Sequence, residues 1–316
     1  MIFKLTWHEI MLVIGYALVL IVGAIMNLVS FVYFGFHKRC RRSTYRSFIT
    51  HLSLADFFCC TILPVFSISG IINNEKWLFG RVTCYYVMPF GKLSGLLSAW
   101  ILCGMTYERY IALSRPLVAF SRRKIHYFLV MVWMASLGFM FLYHWNMRLE
   151  DDRCYHSSSR TFAFISIMTI CFEIVIPSVI LVIFYVCLQR FLSRNRAFRA
   201  SQFQVTIENR HCERVIFYSM ILYLVCVFPT FIMLLKFDID SLFRDYERYD
   251  LNKDVVKWVY LIFYTNSVLN VFVYAGKFKD FRGFLTDCLR YSGKKKAAKQ
   301  SQITSAHSRV SMSQIL

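Results

Sequence analysis

Apolar residues along this chain are grouped into long runs that short polar segments separate. Seven of these runs reach the length of roughly 20 residues that a helix needs to cross the hydrocarbon of a bilayer. Four runs contain no charged residue, and the other three contain one each, Asp56, Lys92 and Glu173. The pattern therefore predicts an all-α membrane protein built as a seven-transmembrane helix bundle. The runs are residues 10–36, 47–74, 82–107, 125–147, 161–189, 215–235 and 258–276.

The composition agrees with a bilayer as the solvent, because 57% of the 316 residues are hydrophobic and only 17% are charged. Soluble globular domains carry about a quarter charged residues. The net charge of +19 comes from basic clusters at residues 38–46, 115–124, 190–214 and 277–299, which follow alternate runs. Separate basic loops argue against nucleic acid as a partner and indicate membrane lipids instead.

The same clusters predict the orientation, because connecting loops rich in Lys and Arg remain in the cytoplasm. We expect a multi-pass plasma-membrane protein with an extracellular N-terminus, residues 1–9, a bundle over residues 10–276 and a cytoplasmic C-terminus. Residues 277–290 combine Phe278, Phe281 and Phe284 at helical spacing with basic residues, which predicts a short amphipathic eighth helix on the membrane surface. Residues 291–316 are rich in Lys, Ser and Gln and are expected to be a disordered cytoplasmic tail.

Short motifs recur in order along the seven runs. Asp56 ends the sequence Leu-Ser-Leu-Ala-Asp. Inserting a carboxylate at the centre of a membrane helix costs about 2.5 to 3.5 kcal/mol, so a functional role is the expected reason for its presence. Glu108-Arg109-Tyr110 closes the third run. The other motif residues are Gly23, Asn27, Pro116, Leu117, Trp133, Pro177, Tyr185 and the segments 226–229 and 270–274. In order and spacing this set resembles the rhodopsin-like (class A) G-protein-coupled receptors over residues 10 to 290.

The resemblance implies an external disulfide between Cys84 and Cys154, and both cysteines lie on the expected oxidising side. It also implies a sodium pocket. The same side chains would satisfy a buried carboxylate as a hydrated polar network without an ion, so both interpretations stay open. No other metal or cofactor is expected. The pocket residues are Asn27, Asp56, Ser98, Asn266, Ser267 and Asn270.

The resemblance further implies a contact site for a heterotrimeric G protein, with arrestin as a further candidate partner. Arg109 would pair with Glu108 in one state and meet the partner in another, or it would serve only as an anchor at the membrane surface. The implied coupling and activation residues are Glu108, Arg109, Leu117, Tyr185, Val227, Pro229 and Tyr274. At the end of the surface helix, Cys288 is either a lipidation site or a chance placement.

Two residues narrow the ligand class. Tyr264 occupies the place of the retinal-binding lysine, and the seventh run contains no lysine, so we expect no retinal. Gly91 stands where amine receptors carry an aspartate. Lys92 and Glu173 lie in the outer half of the bundle and either pair with each other or meet a zwitterionic or peptide ligand. The candidate pocket residues are Gly91, Lys92, Glu173, Phe231, Tyr260 and Tyr264.

The expected function is transduction of an extracellular signal to a G protein, without covalent catalysis, by a receptor for a peptide or a small non-amine molecule. Val227 and Val271 replace the usual Trp and Pro of the sixth and seventh motifs, which predicts an altered basal balance between inactive and active states. These departures also leave open a scaffold or decoy receptor that binds without signalling. A transporter or channel that uses Asp56, Lys92 and Glu173 as a polar path is disfavoured by the lack of evident repeats and broken helices.

Overall fold

The computed structural model describes residues 5–37, 45–114, 121–145, 147–156, 160–194, 203–243 and 253–288. This part of the chain contains seven long helices, one two-stranded sheet and one short helix. The helices are α1 (Trp7–Phe36), α2 (Tyr45–Ile72), α3 (residues 80–114), α4 (Arg122–Trp145), α5 (residues 160–194), α6 (Phe203–Phe243), α7 (Lys253–Lys277) and α8 (residues 279–288). Three of these helices each contain one π-helical segment: Val19–Gly23 in α1, Thr83–Val87 in α3 and Cys171–Val175 in α5.

Six of the seven long helices are apolar enough, over the residues described, to cross a membrane; α3 is not among them. The surface of α1 shows why lipid is the solvent, since large apolar side chains stay exposed along one whole face. Those side chains are Trp7, Met11, Ile14, Leu18, Ile21, Ile25, Leu28 and Val32. Their three- and four-residue spacing marks one continuous stripe. The predicted all-α membrane protein with a seven-helix bundle is confirmed.

Both ends of α1 are held by side chains that meet unsatisfied backbone groups. At the start, the Glu9 carboxylate accepts hydrogen bonds from the Thr6 backbone N–H at 2.9 Å and the Thr6 hydroxyl at 2.8 Å. At the other end, the Arg46 guanidinium of α2 donates to the carbonyl groups of Phe34 and Gly35. These contacts satisfy groups that a helix end leaves without intrahelical partners.

Glycines allow the helices to approach closely. A Cβ atom on Gly23 of α1 would lie 2.5 Å from Cys60 Sγ of α2, and one on Gly104 of α3 would lie 2.3 Å from Phe128 Cε1 of α4. Membrane helices associate through such small residues because lipid offers no hydrophobic driving force between them. One cluster of the core joins α1, α2 and α7 and contains the buried residues Leu12, Tyr16, Cys59, Cys60, Leu63, Leu261 and Tyr264.

A β-hairpin between α4 and α5 does not follow from the apolar pattern. Strands β1 (Met147–Glu150) and β2 (Arg153–His156) pair antiparallel, with Leu149 opposite Cys154. The turn residues Asp151 and Asp152 have φ values of 47° and 58°, as a two-residue hairpin turn requires. The fourth run was predicted to extend to residue 147, but the helix ends at Trp145 because the chain turns into β1.

The sixth helix also differs from its predicted length. The sixth apolar run, residues 215–235, predicts a helix that ends near residue 235, yet α6 continues to Phe243. Asp238 therefore lies within the helix, where it is buried. The physical reason is that its carboxylate accepts a hydrogen bond from the Ser166 hydroxyl at 2.7 Å, so a charged residue does not end the packed face.

Tyr274 and the described residues that follow it, up to residue 288, belong to a separate compact unit. Within it, the Phe278 backbone N–H donates to the Tyr274 carbonyl at 2.8 Å, and α8 follows. Phe281 is buried and Phe284 is half-buried, whereas Arg282 and Gly283 are exposed, so α8 is the expected amphipathic helix. The predicted tail, residues 291–316, lies outside the described residues.

Substituting Gly104 tests the packing of α3. Gly104→Ala should lower the free energy of unfolding by about 1–3 kcal/mol, because the added methyl group overlaps the Phe128 ring. Gly138→Ala on α4 is the matched control, since no atom lies within 4 Å of its Cβ position, and it should be neutral or stabilising. Thermal unfolding of both variants in detergent gives the comparison. Equal melting temperatures would contradict the packing described for α3.

Candidate functional site

Asp56 is the centre of a buried polar cluster. Its Oδ1 atom accepts hydrogen bonds from the Ser98 hydroxyl at 3.2 Å and the Ser267 hydroxyl at 2.8 Å. Its Oδ2 atom accepts one from Asn270 Nδ2 at 3.2 Å. Four of the six predicted pocket residues thus meet directly, from α2, α3 and α7. The relative exposure of these four is at most 4%.

The other two predicted residues lie at the margin of the cluster. Asn27 Nδ2 donates to the carbonyl groups of Gly23 and Ser267, each at 3.0 Å, so it joins α1 to the same part of α7. Asn266 is buried on α7, one residue before Ser267. Within the described chain, the side-chain oxygens of Asn27, Asn266 and Asn270 have no hydrogen-bond partner.

These amide oxygens bear on whether an ion fits. A carboxylate, two hydroxyl groups and amide oxygens without partners are hard donors, which suit an alkali or alkaline-earth cation. No group of three or more His, Cys, Asp or Glu side chains within the described residues is arranged to hold a metal. The chemistry of the cluster therefore fits sodium and gives no support to a zinc-type site.

Glu108 and Arg109 form a buried ion pair near the C-terminal end of α3. Arg109 Nε lies 3.0 Å from Glu108 Oε2, and both side chains are less than 10% exposed. The guanidinium carbon lies 4.9 Å from the centroid of the Tyr45 ring of α2, which adds a cation–π contact. Arg109 is thus positioned by Glu108 on its own helix and by Tyr45 on α2.

The remaining predicted coupling residues are placed as follows. The Tyr185 ring of α5 stacks on Phe217 of α6, with centroids 5.5 Å apart. Pro229 lies inside α6, where it removes one backbone hydrogen bond and favours a bend. Tyr274 belongs to the second unit, and Leu117 lies outside the described residues.

A large cavity of about 1260 Å³ opens at the end of the bundle that carries the disulfide. Pockets for drug-sized ligands measure roughly 300–1,000 Å³, so this cavity has room for a larger molecule. The predicted disulfide is confirmed: Cys84 and Cys154 are bonded at 2.08 Å and tie β2 to α3. Cys154 also lines the cavity.

The predicted pocket residues divide between the cavity wall and the helix contacts. Glu173, Tyr260 and Tyr264 line the cavity, as does Val227. Gly91 and Phe231 are not among the described lining residues.

Packing accounts for both absences. A Cβ on Gly91 would lie 2.7 Å from Leu63 Cδ2, so Gly91 faces α2. The Phe231 ring lies 6.2 Å from the ring of Phe228, which is itself exposed at the bundle surface.

Two further predictions concern Lys92 and Cys288. The side chain of Lys92 lies outside the described residues, so its pairing with Glu173 stays a prediction. Cys288 is a free, exposed cysteine at the end of α8, and its lipidation also stays a prediction.

Two lysines of α7 line the cavity, although the seventh apolar run, residues 258–276, contains no lysine. The helix α7 begins at Lys253, five residues before the predicted run, and Lys253 and Lys257 both line the cavity. Lys257 Nζ forms an ion pair with Glu75 Oε1 at 3.0 Å. Tyr264 still occupies the place that the resemblance assigns to a retinal-binding lysine.

Sequence reasoning also missed other polar wall residues, among them Ser166, Thr230 and Asp238. A signal existed for two of them. Thr230 and Asp238 are eight residues apart, and residues separated by about two turns share one face of a helix. The signal was lost because α6 was predicted to end before Asp238.

Comparison with known proteins adds to this geometry. The family description "7 transmembrane receptor (rhodopsin family)" matches residues 26–274, well over half of the chain. A protein named "Rhodopsin, GQ-coupled" from Mizuhopecten yessoensis is 30% identical over 138 residues, which are 42% of this chain and 26% of that protein.

Two other relatives are similar in extent. C-X-C chemokine receptor type 5 of Mus musculus is 28% identical over 139 residues, covering 43% of this chain and 36% of the receptor. Melanopsin of Homo sapiens is 27% identical over 185 residues, covering 55% and 38%. The chain thus matches between 26% and 38% of the length of these three relatives. With seven helices, the Cys84–Cys154 disulfide and the family match across the bundle, this chain belongs to the rhodopsin family of seven-transmembrane receptors.

Proposed function

We propose that this protein is a plasma-membrane receptor that passes an extracellular signal to a heterotrimeric G protein. The observation that carries the proposal is the placement of two features on one helix. At one end of α3, Pro89 and Leu93 line the large cavity, and at the other end Arg109 is held by Glu108 and Tyr45. Leu93 and Arg109 are roughly 24 Å apart along the helix axis.

The ligand enters the cavity from outside the cell, and the partner meets the Arg109 end inside it. The basic segments that follow α1, α3, α5 and α7 support this orientation, with the N-terminus outside and the C-terminus in the cytoplasm. The receptor makes and breaks no covalent bond. It lowers the barrier to GDP release when Arg109 leaves Glu108 and contacts the partner; Leu117, Tyr185 and Tyr274 are further candidate contacts by resemblance to the family.

The Asp56 cluster lies between these two ends and holds α2, α3 and α7 in one arrangement. Asp56, Ser98, Ser267 and Asn270 would hold a sodium ion in the inactive state, where the ion would offset the carboxylate charge. Each of the three hydrogen bonds to Asp56 crosses between helices. Any movement of α7 against α2 therefore has to break Asp56 contacts, with or without an ion.

The relatives named as receptors support a signalling role, but Val227 and Val271 favour one alternative. Both are buried, and Val227 lines the cavity where the family uses a large aromatic side chain. A receptor without that side chain can bind ligand and transmit nothing, which is the behaviour of a decoy. Arrestin and membrane lipids remain further proposed partners of the cytoplasmic side.

An exchange assay with purified receptor in nanodiscs tests the function. The receptor should stimulate nucleotide exchange on at least one class of G protein, and Arg109→Ala should reduce this roughly tenfold or more, equivalent to about 1.4 kcal/mol. Arg123→Ala on α4 is the matched control, since Arg123 is exposed, and should leave exchange unchanged. Second-messenger screens with peptide and small-molecule libraries extend the test to ligands. A receptor that binds ligand but stimulates no class of G protein would be a decoy.

Sodium dependence separates an ion site from a polar network. Replacing potassium with sodium at constant ionic strength should raise the free energy of unfolding by roughly 1.4 kcal/mol at about ten times the dissociation constant. Asp56→Asn should abolish the sodium effect, because the amide is neutral. If sodium has no effect on the wild type while Asp56→Asn still changes ligand affinity, the cluster is a polar network only.

Restoring the usual side chains of the sixth and seventh motifs tests the altered basal balance. Val227→Trp and Val271→Pro should each change ligand-free exchange, Val227→Trp because the indole would fill part of the cavity and Val271→Pro because proline removes a backbone donor from α7. Ligand-free nucleotide exchange at matched receptor amounts is the measurement. Wild-type exchange rates in both variants would refute the idea.

A further inference from the structure

A buried carboxylate that no described cation accompanies forms part of the cavity wall. Asp238 of α6 is 1% exposed and lines the cavity. Its Oδ2 atom accepts a hydrogen bond from Ser166 of α5 at 2.7 Å, and no described Lys, Arg or His side chain forms an ion pair with it. An ionised carboxylate offers about four acceptor positions, so one hydroxyl group leaves most of its capacity unused.

Among the described residues, the cations that line the cavity are either paired with another carboxylate or exposed to solvent. Lys257 pairs with Glu75 at 3.0 Å. Lys253 is exposed at the first residue of α7. A buried carboxylate is expensive to keep unless a cation accompanies it, and the protein supplies none at Asp238 within the residues described.

A second polar group lies on the same wall. The Thr230 side chain is 4% exposed and lines the cavity, yet its hydroxyl has no hydrogen-bond partner among the described residues. Thr230 and Asp238 are two turns apart on α6, about 12 Å along the axis. Leu234 lies between them and also lines the cavity. The wall of α6 thus presents a hydroxyl, an apolar strip and a carboxylate in line.

We infer that Asp238 binds a cationic group of the ligand, an ammonium or a guanidinium, while the rest of the ligand extends along α6 toward Thr230. The inference rests on the proposed function, because it names the ligand chemistry of the same cavity. It differs from the amine recognition considered above, whose carboxylate would stand at Gly91 on α3. Ser166 has a positioning role, since its hydrogen bond fixes the carboxylate at the wall.

A pair of matched probes tests the inference on purified receptor in nanodiscs, without G protein. Dansylcadaverine carries a free ammonium group, and its N-acetylated form is neutral with the same fluorophore. Fluorescence anisotropy should show that the wild type binds the ammonium probe roughly tenfold more tightly, as loss of a charge-assisted hydrogen bond implies. Equal affinities for the two probes would overturn the inference.

Variants on α6 assign the charge preference to one residue. Asp238→Asn should remove the preference while its amide oxygen still accepts from Ser166, and Asp238→Glu should retain it. The matched control is Asp240→Asn, which removes the same charge two residues away at a position that does not line the cavity, and it should keep the preference. Thermal unfolding of each variant verifies that it folds. Equal loss in Asp238→Asn and Asp240→Asn would mean that general surface charge causes the preference, and would overturn the inference.

A reciprocal variant keeps the test decisive if Asp238→Asn is unstable. Asp238→Lys should reverse the preference, so that dansyl-aminocaproic acid, which carries a carboxylate, binds more tightly than dansylcadaverine. Unchanged preference in this variant would rule out Asp238 as the cation site. Competition by arginine-containing dipeptide amides or by phenylalkylamines then identifies the source of the cation, and displacement by either one supports the proposed chemistry.

The outcomes distinguish this inference from the proposed function. A receptor that prefers the ammonium probe but never stimulates nucleotide exchange refutes the signalling function alone. A receptor that stimulates exchange but binds both probes equally refutes the role of Asp238 alone.

Discussion

A polar group surrounded by hydrocarbon has to find its partners within the protein, and the rest of this structure depends on how Asp56 does so. Its carboxylate accepts hydrogen bonds from side chains on α3 and α7, and Asn27 connects α1 to the backbone of the same α7 segment. These contacts set the register of four helices, because sliding any of them by one turn would leave a buried carboxylate or amide without partners.

The same constraint explains why the seven helices could be predicted from the chain. Charged side chains are costly in hydrocarbon, so runs with almost no charge indicate the membrane-spanning helices. A charged residue within such a run, such as Asp56, indicates a candidate functional site. Asp56 was recognised as the centre of a cluster, and Ser98, Ser267 and Asn270 do meet it. The resemblance also paired Cys84 with Cys154 correctly.

Other features depend on contacts that periodicity does not contain. The hairpin residues 147–156 are neither apolar nor rich in turn-forming glycine, and their pairing is defined by the partner strand and by the bond to α3. Asp238 lies beyond the sixth apolar run, and the sequence pattern does not show that Ser166 of α5 would be its hydrogen-bond partner. Gly91 was placed in the pocket by homology of position, whereas its lack of a side chain serves the approach of α2.

The glycines of α3 have a mechanical consequence. Positions 91, 95 and 104 bring its backbone against Leu63 of α2, Phe263 of α7 and Phe128 of α4, each within 3 Å of where a Cβ would stand. Because α3 is in close contact with three neighbouring helices, it cannot rotate or slide without steric clashes along its length. The helix α6 contains no glycine, and its Pro229 favours a bend. We therefore expect α3 to keep its position in the bundle, and rearrangement to involve α6, the helix that carries Thr230 and Asp238.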